Sequence, residues 1–253
     1  MKNFIMKAED LSKSFSHNGE QIHVLSHIDM EIEEKSFTVI MGASGSGKST
    51  LLYALSGMDK ATAGKVIYNG MNLVSQSEKR LAELRSRDFG FIFQQMHLVS
   101  NLTLFENVAV SGYLDRKKTA SEVRRRTEEL LSNMGLSEVS GHRPSQVSGG
   151  EQQRCAIARA IINSPELLFA DEPTGALNRR NSTEVLDLLT ELNRKGQSIL
   201  MVTHDLKAAL RADRLLYLED GKIAGELELP PYNASEEKSR EKQVNAWLAA
   251  MDW

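Results

Sequence analysis

Three short runs in the chain are apolar at almost every position: residues 37–41 (Phe-Thr-Val-Ile-Met), 167–170 (Leu-Leu-Phe-Ala) and 198–203 (Ser-Ile-Leu-Met-Val-Thr). A strand with one wet face alternates apolar and polar residues. A strand covered on both faces does not. Stretches with helical spacing lie between these runs, so a largely parallel sheet with helices packed on it is expected. Two further extended segments carry turn signals, Asn69-Gly70 and Asp220-Gly221. Both dipeptides suit the left-handed backbone of a type I′ turn and predict antiparallel hairpins.

Residues 95–150 have a different texture, with few β-branched clusters and strong helical periodicity. Thr119 and Glu122 have the spacing of a capping box. Val123, Leu130, Leu131 and Met134 then fall on one helix face, and Gly135 ends it. Arg124, Arg125 and Arg126 lie on that helix, as a solvated face or as an anion patch. The segment reads as a helical insertion in an α/β core. After Pro230-Pro231, Val244, Trp247, Leu248 and Met251 recur at helical spacing. They predict a last helix that docks on its own domain.

Composition narrows the functional classes. The chain has 253 residues, 41% hydrophobic and 26% charged, with a net charge of -3. These are ordinary values for a folded domain, and they provide no global attraction to nucleic acid. No apolar run approaches the roughly 18–20 residues needed to span a bilayer. Residues 1–7 lack the apolar core of a signal peptide. Membrane work would therefore require a separate anchor. The single Cys155 has no internal disulfide partner, which fits a reducing compartment, and it reads as core packing.

The chemistry concentrates at the ends of the apolar runs. After residues 37–41 comes Gly42-Ala43-Ser44-Gly45-Ser46-Gly47-Lys48-Ser49-Thr50, a phosphate-binding loop pattern between a strand and a helix. Its glycines let backbone N–H groups turn inward to cradle phosphate oxygens. Lys48 is placed to reach the β- and γ-phosphates of ATP, and the Ser49 hydroxyl to ligate Mg²⁺. After residues 167–170 come Asp171 and Glu172. The first acid suits Mg²⁺, through water, and the second suits polarisation of an attacking water. His204 follows the third run and would sit at the carboxyl end of its strand, where open α/β sheets bind ligands. A γ-phosphate contact is expected there.

A second anion-ready helix start follows in Val147-Ser148-Gly149-Gly150-Glu151-Gln152-Gln153-Arg154. Ser148 and Glu151 form a capping box, and two glycines open the backbone beside it. One ATP needs only one cradle. This stretch resembles the Leu-Ser-Gly-Gly-Gln signature of the ABC ATPases, with Val147 and Glu151 as mild departures.

The resemblance covers about residues 4–226. It implies an α/β fold: a P-loop NTPase (RecA-like), mainly parallel sheet core with an antiparallel β part and an inserted helical subdomain. The whole of 1–253 is then a single nucleotide-binding domain. Residues 1–94 and 160–227 would form the ATP-binding core, 95–159 the helical subdomain with the signature, and 232–253 a C-terminal helix. By the same resemblance Phe15 stacks on adenine, and Gln94 of Phe93-Gln94-Gln95 touches Mg²⁺ and senses a transmembrane partner. Asp171 and Glu172 match the Walker B aspartate and catalytic glutamate, and His204 matches the switch histidine. Ser148, Gly149 and Gly150 of one subunit would cap the ATP on the loop of another, in a head-to-tail homodimer or pseudo-symmetric pair.

The stretches at residues 40–47, 90–95, 102–108 and 170–177 resemble one branch, which includes macrolide-efflux, lipoprotein-release, cell-division and bacitracin-exporter ATPases (MacB, LolD and FtsE types). Pro173-Thr174-Gly175 separates this branch from amino-acid importers. The resemblance implies ATP-driven work on a separate membrane permease from the cytoplasmic face, with an antimicrobial, lipoprotein or peptide-type substrate that this chain does not touch. One departure is Asn178, where the family usually has Asp. Non-transport relatives in translation or DNA repair carry a second ATPase domain or long coiled coils, and neither is present here. A regulatory cell-division role has nearly the same motifs and stays open.

Overall fold

The structure is a computed structural model that describes residues 3–17, 19–115, 117–251 and 253, without the side chain of His17. Met1 and Lys2, from the stretch read for a leader, and Asp252 of the tail lie outside the described residues. In chain order the strands are β1 (Phe4–His17), β2 (Glu20–Glu33), β3 (Phe37–Met41), β4 (Ala63–Tyr68), β5 (Met71–Asn72), β6 (Phe89–Phe93), β7 (Leu167–Asp171), β8 (Ser198–Val202), β9 (Arg214–Glu219) and β10 (Lys222–Glu228). The helices are α1 (Lys48–Leu55), α2 (Glu78–Arg87), α3 (Leu104–Gly112), α4 (Ala120–Asn133), α5 (Gly149–Ile161), α6 (Arg179–Arg194), α7 (Leu206–Ala209) and α8 (Glu237–Ala249). The chain forms two compact units, one of Met1–Leu81 with Thr190–Trp253 and one of Ala82–Leu189.

In the first unit, β3 lies between β8 and β9, parallel to both, and β10 closes that edge as an antiparallel hairpin with β9. Every residue of β3 and of β8 is buried, as their unbroken apolar runs require. The Asn69-Gly70 and Asp220-Gly221 turns have φ of 44° and 79°, and 44° and 72°. They join Tyr68 to Met71 and Glu219 to Lys222, as the turn chemistry predicts.

A second sheet, in the order β2-β1-β4-β5, is antiparallel. The sequence pattern does not predict its two 14-residue strands. Register shifts at Ala8/Leu11, Leu11/Lys13 and Lys13/Ser14 interrupt the two-residue period, and Asp10 and His27 take φ of 51° at the bulged region. The C-terminal helix α8 packs on this unit. Val244 and Leu248 are buried, and Trp247 meets Tyr217 of β9 edge-on at 6.3 Å.

In the second unit, β6 and β7 pair in parallel from Phe89↔Leu167 to Phe93↔Asp171. Phe169 packs against Phe89 and Phe91, with ring centroids 5.3 and 5.5 Å away. Helices α3, α4 and α5 each start on a complete capping box, Thr103/Glu106, Thr119/Glu122 and Ser148/Glu151. Val123, Leu130, Leu131 and Met134 are all buried. The arginine run on α4 resolves to the solvated reading. Arg124 pairs with Glu128 at 3.1 Å and Arg126 with Glu129 at 2.9 Å, each with a carboxylate about one turn along the helix. Among the described residues no helix is long and apolar enough to cross a membrane.

Candidate functional site

The first unit carries the glycine-rich loop between β3 and α1. A Cβ on Gly42 would overlap the Leu218 carbonyl of β9, so only glycine lets the chain leave the strand there. Gly47, the residue before the helix, has φ of 101°, which again favours glycine. Lys48 opens α1, and its Nζ donates to the carbonyls of Gly42 and Ala43, both at 2.8 Å. The ammonium is thereby folded over the loop it belongs to.

Ala43, Ser44 and Gly45 are exposed at the loop tip, and Ser49 and Thr50 are half-buried in the first helical turn. The first turn of α1 holds no acidic residue of its own, so the helix itself supplies no carboxylate to the positive end of its dipole. The Ser46 Oγ is buried and has no hydrogen-bond partner. A buried hydroxyl of this kind is costly until a polar group reaches it. An orphaned hydroxyl, a lysine ammonium folded over the loop and an acid-free first helical turn together fit an anionic polyphosphate.

His204 belongs to the same end of the same ladder. Ile40 pairs with Val202, and Thr203 N donates to Ile40 O at 3.1 Å. The chain then turns at His204, which is exposed. Asp205 caps α7 by accepting the Lys207 N–H at 2.9 Å, and its own N–H donates to Thr203 Oγ1 at 3.0 Å. These two bonds hold the histidine between a strand end and a helix start. Phe15, on β1, is 42% exposed, as a ring that receives a ligand must be.

The second unit carries the acidic pair. Asp171 ends β7 and is buried, while Glu172 is half-buried with φ of 48°. A left-handed backbone at a non-glycine residue stores strain and aims its side chain off the strand line. Phe93 is the ladder partner of Asp171, so Gln94 leaves β6 at the level where Glu172 leaves β7. A Cβ on Gly175 would sit 2.8 Å from Gln94 Nε2. The glycine of Pro173-Thr174-Gly175 is thus the seat on which the Gln94 amide rests.

At the start of α5, Ser148 Oγ donates to Glu151 Oε2 at 2.7 Å and accepts the Glu151 N–H at 3.3 Å. The Ser148 hydroxyl and backbone N–H hold the Glu151 carboxyl below its usual range. The two glycines after Ser148 differ in kind. Gly149 is exposed, whereas a side chain on Gly150 would strike Asn181 of α6 at 2.6 Å. A side chain at Gly150 would therefore have to displace the Asn181 side chain inside the unit. The sequence alone does not indicate Asn181, or Gly175 as a seat, because each depends on a neighbour in the fold; Ser46 is legible as part of the loop, and only its orphaned hydroxyl is new.

Residues 25–175 match the family profile described as ABC transporter. Among solved structures, the chain is similar to the ATP-binding cassette MJ0796, solved as a dimer in a post-hydrolysis state bound to ADP and Pi. That match has 35% identity and a TM-score of 0.83 over 90% of this chain and 100% of that one. A second dimeric structure of MJ0796, described as a bacterial ABC transporter cassette, matches at 36% identity and TM-score 0.83 over the same shares of 90% and 100%. The cbiO1 protein of Clostridium perfringens, part of the ABC transporter complex cbiONQ, matches at 27% identity and TM-score 0.81 over 96% of this chain and 93% of that one.

Proposed function

Because this chain belongs to the ABC transporter family and has its ATPase cassette fold, we propose that it is the ATP-hydrolysing subunit of a transporter whose membrane-spanning part is a separate protein. The observation that carries the reading is the loop at residues 42–50. In it the Lys48 ammonium folds over the loop, the Ser46 hydroxyl is buried without a hydrogen-bond partner, and the first turn of α1 has no acidic residue, which together support an anion site.

The roles follow from the chemistry of each group. Backbone N–H groups of residues 43–50 hold the triphosphate, and Lys48 exchanges its carbonyl partners for β- and γ-phosphate oxygens. Phe15 stacks on the adenine. By the family resemblance, Ser49, Gln94 and Asp171 are the residues that would hold Mg²⁺, which would supply charge neutralisation for the phosphates. Glu172 accepts a proton from the attacking water, and His204 donates to the γ-phosphate as its charge spreads.

Two copies of the chain close on two ATP molecules, with Ser148, Gly149 and Gly150 of each facing the nucleotide on the other. The dimeric MJ0796 structures support this stoichiometry. Ser148 must release Glu151 to donate to a phosphate, and the Glu151 carboxylate then faces that anion. Glutamine, usual in the family signature, would carry no such charge.

The helical segment at 95–159 and the chain after Gln94 transmit closure to the permease at the cytoplasmic face of the membrane. Membership of cbiO1 in a multi-protein transporter complex supports a separate partner of this kind. The motif stretches at 90–95 and 102–108 favour the macrolide, lipoprotein and antimicrobial-peptide exporter branch. Export or mechanical work on such a substrate is the finer reading.

The Glu172→Gln variant tests the core of this assignment. It should bind ATP as tightly as wild type, turn over about 10²–10⁴-fold more slowly, and elute as an ATP-dependent dimer in size-exclusion chromatography. Unchanged turnover would remove Glu172 from the chemistry and with it the assignment.

A further inference from the structure

The Phe15 ring has two faces, and only one is open. Lys13 lies two residues earlier on β1, and its Nζ stands 4.6 Å from the centroid of the ring. That lysine is 8% exposed, unusual for a residue that normally keeps its ammonium in water. Its charge is satisfied by Asp59 Oδ1 at 2.6 Å and the Lys60 carbonyl at 2.8 Å. Both groups belong to the chain that leaves α1, the helix that the phosphate loop opens.

The backbone on either side of Lys13 is tied to the same segment. Thr62 N donates to Ser12 O at 2.8 Å, and Ser14 N donates to Thr62 Oγ1 at 2.9 Å. At the other end of α1, a Cβ on Gly47 would lie 3.1 Å from both the Val24 carbonyl oxygen and the Leu25 side chain of β2. The β1–β2 hairpin therefore grips the phosphate helix at both ends. Ile22, the direct ladder partner of Phe15 and on the same face, is 50% exposed. Together they present an open apolar platform beside the ring's free face.

We infer that Lys13 is a positioning residue for nucleotide binding: it anchors the Phe15 platform to the helix that carries the phosphate loop, and sets the span between base and phosphates. This rests on the reading that Phe15 stacks on the base. The ammonium occupies one face of the ring by a cation–π contact, so the base stacks on the other. It also withdraws electron density from the ring, which favours stacking of an electron-rich purine. Ile22 flanks the stacked base with apolar surface and adds no polar recognition of its edge, so the platform reads the π-face of the base.

The test compares ATP with tripolyphosphate, a ligand that has the anion and lacks the base. Affinities are measured by calorimetry for wild type, Lys13→Met, Lys13→Arg, Asp59→Asn and Phe15→Ala. Lys13→Met keeps the buried stem and loses the charge. It should weaken ATP binding roughly 3–20-fold while leaving tripolyphosphate affinity unchanged. In steady-state hydrolysis KM should rise with kcat retained. Lys13→Arg should restore much of the loss, and Asp59→Asn should reproduce part of it. Equal loss of ATP and tripolyphosphate in Lys13→Met would make the lysine merely structural and overturn the inference. If Phe15→Ala weakens ATP alone and Lys13→Met does not, Lys13 has no positioning role while the stacking role of Phe15 stands. If Phe15→Ala leaves the ATP-to-tripolyphosphate ratio unchanged, the base platform itself fails, and the inference with it.

Discussion

Burial pushes the Asp213 carboxyl up to about 6, against the opposing pull of the Phe37 backbone N–H and of Arg240, while Glu33 adds to the rise. Its Oδ1 accepts the Phe37 N–H at 2.9 Å, at the first residue of β3. An acid with a folded pKa above its unfolded value near ~4 binds an extra proton in the folded state between those two values. Stability is then fully present below pH ~4, falls as pH rises toward 6, and stays lost above it. Asp213→Asn keeps an acceptor for Phe37 and cannot ionise. It should be more stable than wild type at pH 7 by about 1–3 kcal/mol, with the margin closing near pH 4. Thermal melts at both pH values check this, and equal margins would exclude it. Nothing in the sequence around Asp213 points to this behaviour, because the burial comes from chain packed far away. Lys48, Ser49, Asp171, Glu172 and His204 are legible for the opposite reason. Asp171 ends the apolar strand β7 and Glu172 follows it, His204 follows β8 within two residues, and Lys48 and Ser49 close the glycine-rich loop that follows β3, so a few contiguous residues encode each place. Lys13 and Asn181 have their significance only beside partners distant in sequence. Cys155 is a further legible case. It is buried, and its thiol is pushed up to about 12 by that burial, so it belongs to the core.

Elements were legible where one physical signal dominated. The fully buried strands β3, β7 and β8 follow from unbroken apolar runs, and the starts of α4 and α5 from capping boxes. Helix α2 escaped because eight of its ten residues are polar, charged or alanine, with Leu81 and Leu84 as its buried anchors. Helix α8 is the element with most left to test. Its apolar spacing was visible, but its strongest tie is polar. Arg240 is buried, with Nη1 donating to Pro230 O at 2.7 Å and Nη2 donating to Ala212 O. Its Nε has no partner, and burial lowers its pKa. Trp247 and Trp253 flank Tyr217 at 6.3 and 6.0 Å, next to Leu218, whose carbonyl walls Gly42 of the phosphate loop. Ending the chain after Glu236 would uncover the surfaces under Val244 and Leu248, each worth about 1.5–3 kcal/mol when buried. The shortened protein should lose about 2–5 kcal/mol in urea unfolding. ATP affinity should fall in the same variant, because the wall behind Gly42 loses its support. Full retention of both would show that α8 is a passenger.

At the scale of the whole molecule, the sharpest departure from the family pattern is Asn178, and the structure separates its two possible roles. Its Oδ1 accepts the Asn181 N–H at 3.0 Å, and its carbonyl accepts the Ser182 hydroxyl at 3.0 Å. The residue is therefore the N-cap of α6, and it is exposed. Asparagine and aspartate cap helices about equally well. Asn178→Asp should leave the stability of the single chain within about 0.5 kcal/mol of wild type, so any functional effect must come from the added charge. In the proposed dimer that charge enters an interface closed by two polyanionic nucleotides. Asparagine keeps the hydrogen bonding of the family's aspartate and lacks its charge, which predicts altered coupling between the two sites and no loss of hydrolysis itself. The measurement is the ATP dependence of turnover in wild type and Asn178→Asp, read as maximal rate and Hill coefficient, together with transport in the presence of the permease. The Hill coefficient and transport coupling should move, with the maximal rate within about threefold, a difference under 1 kcal/mol. Unchanged cooperativity and unchanged coupling would reduce Asn178 to a helix cap.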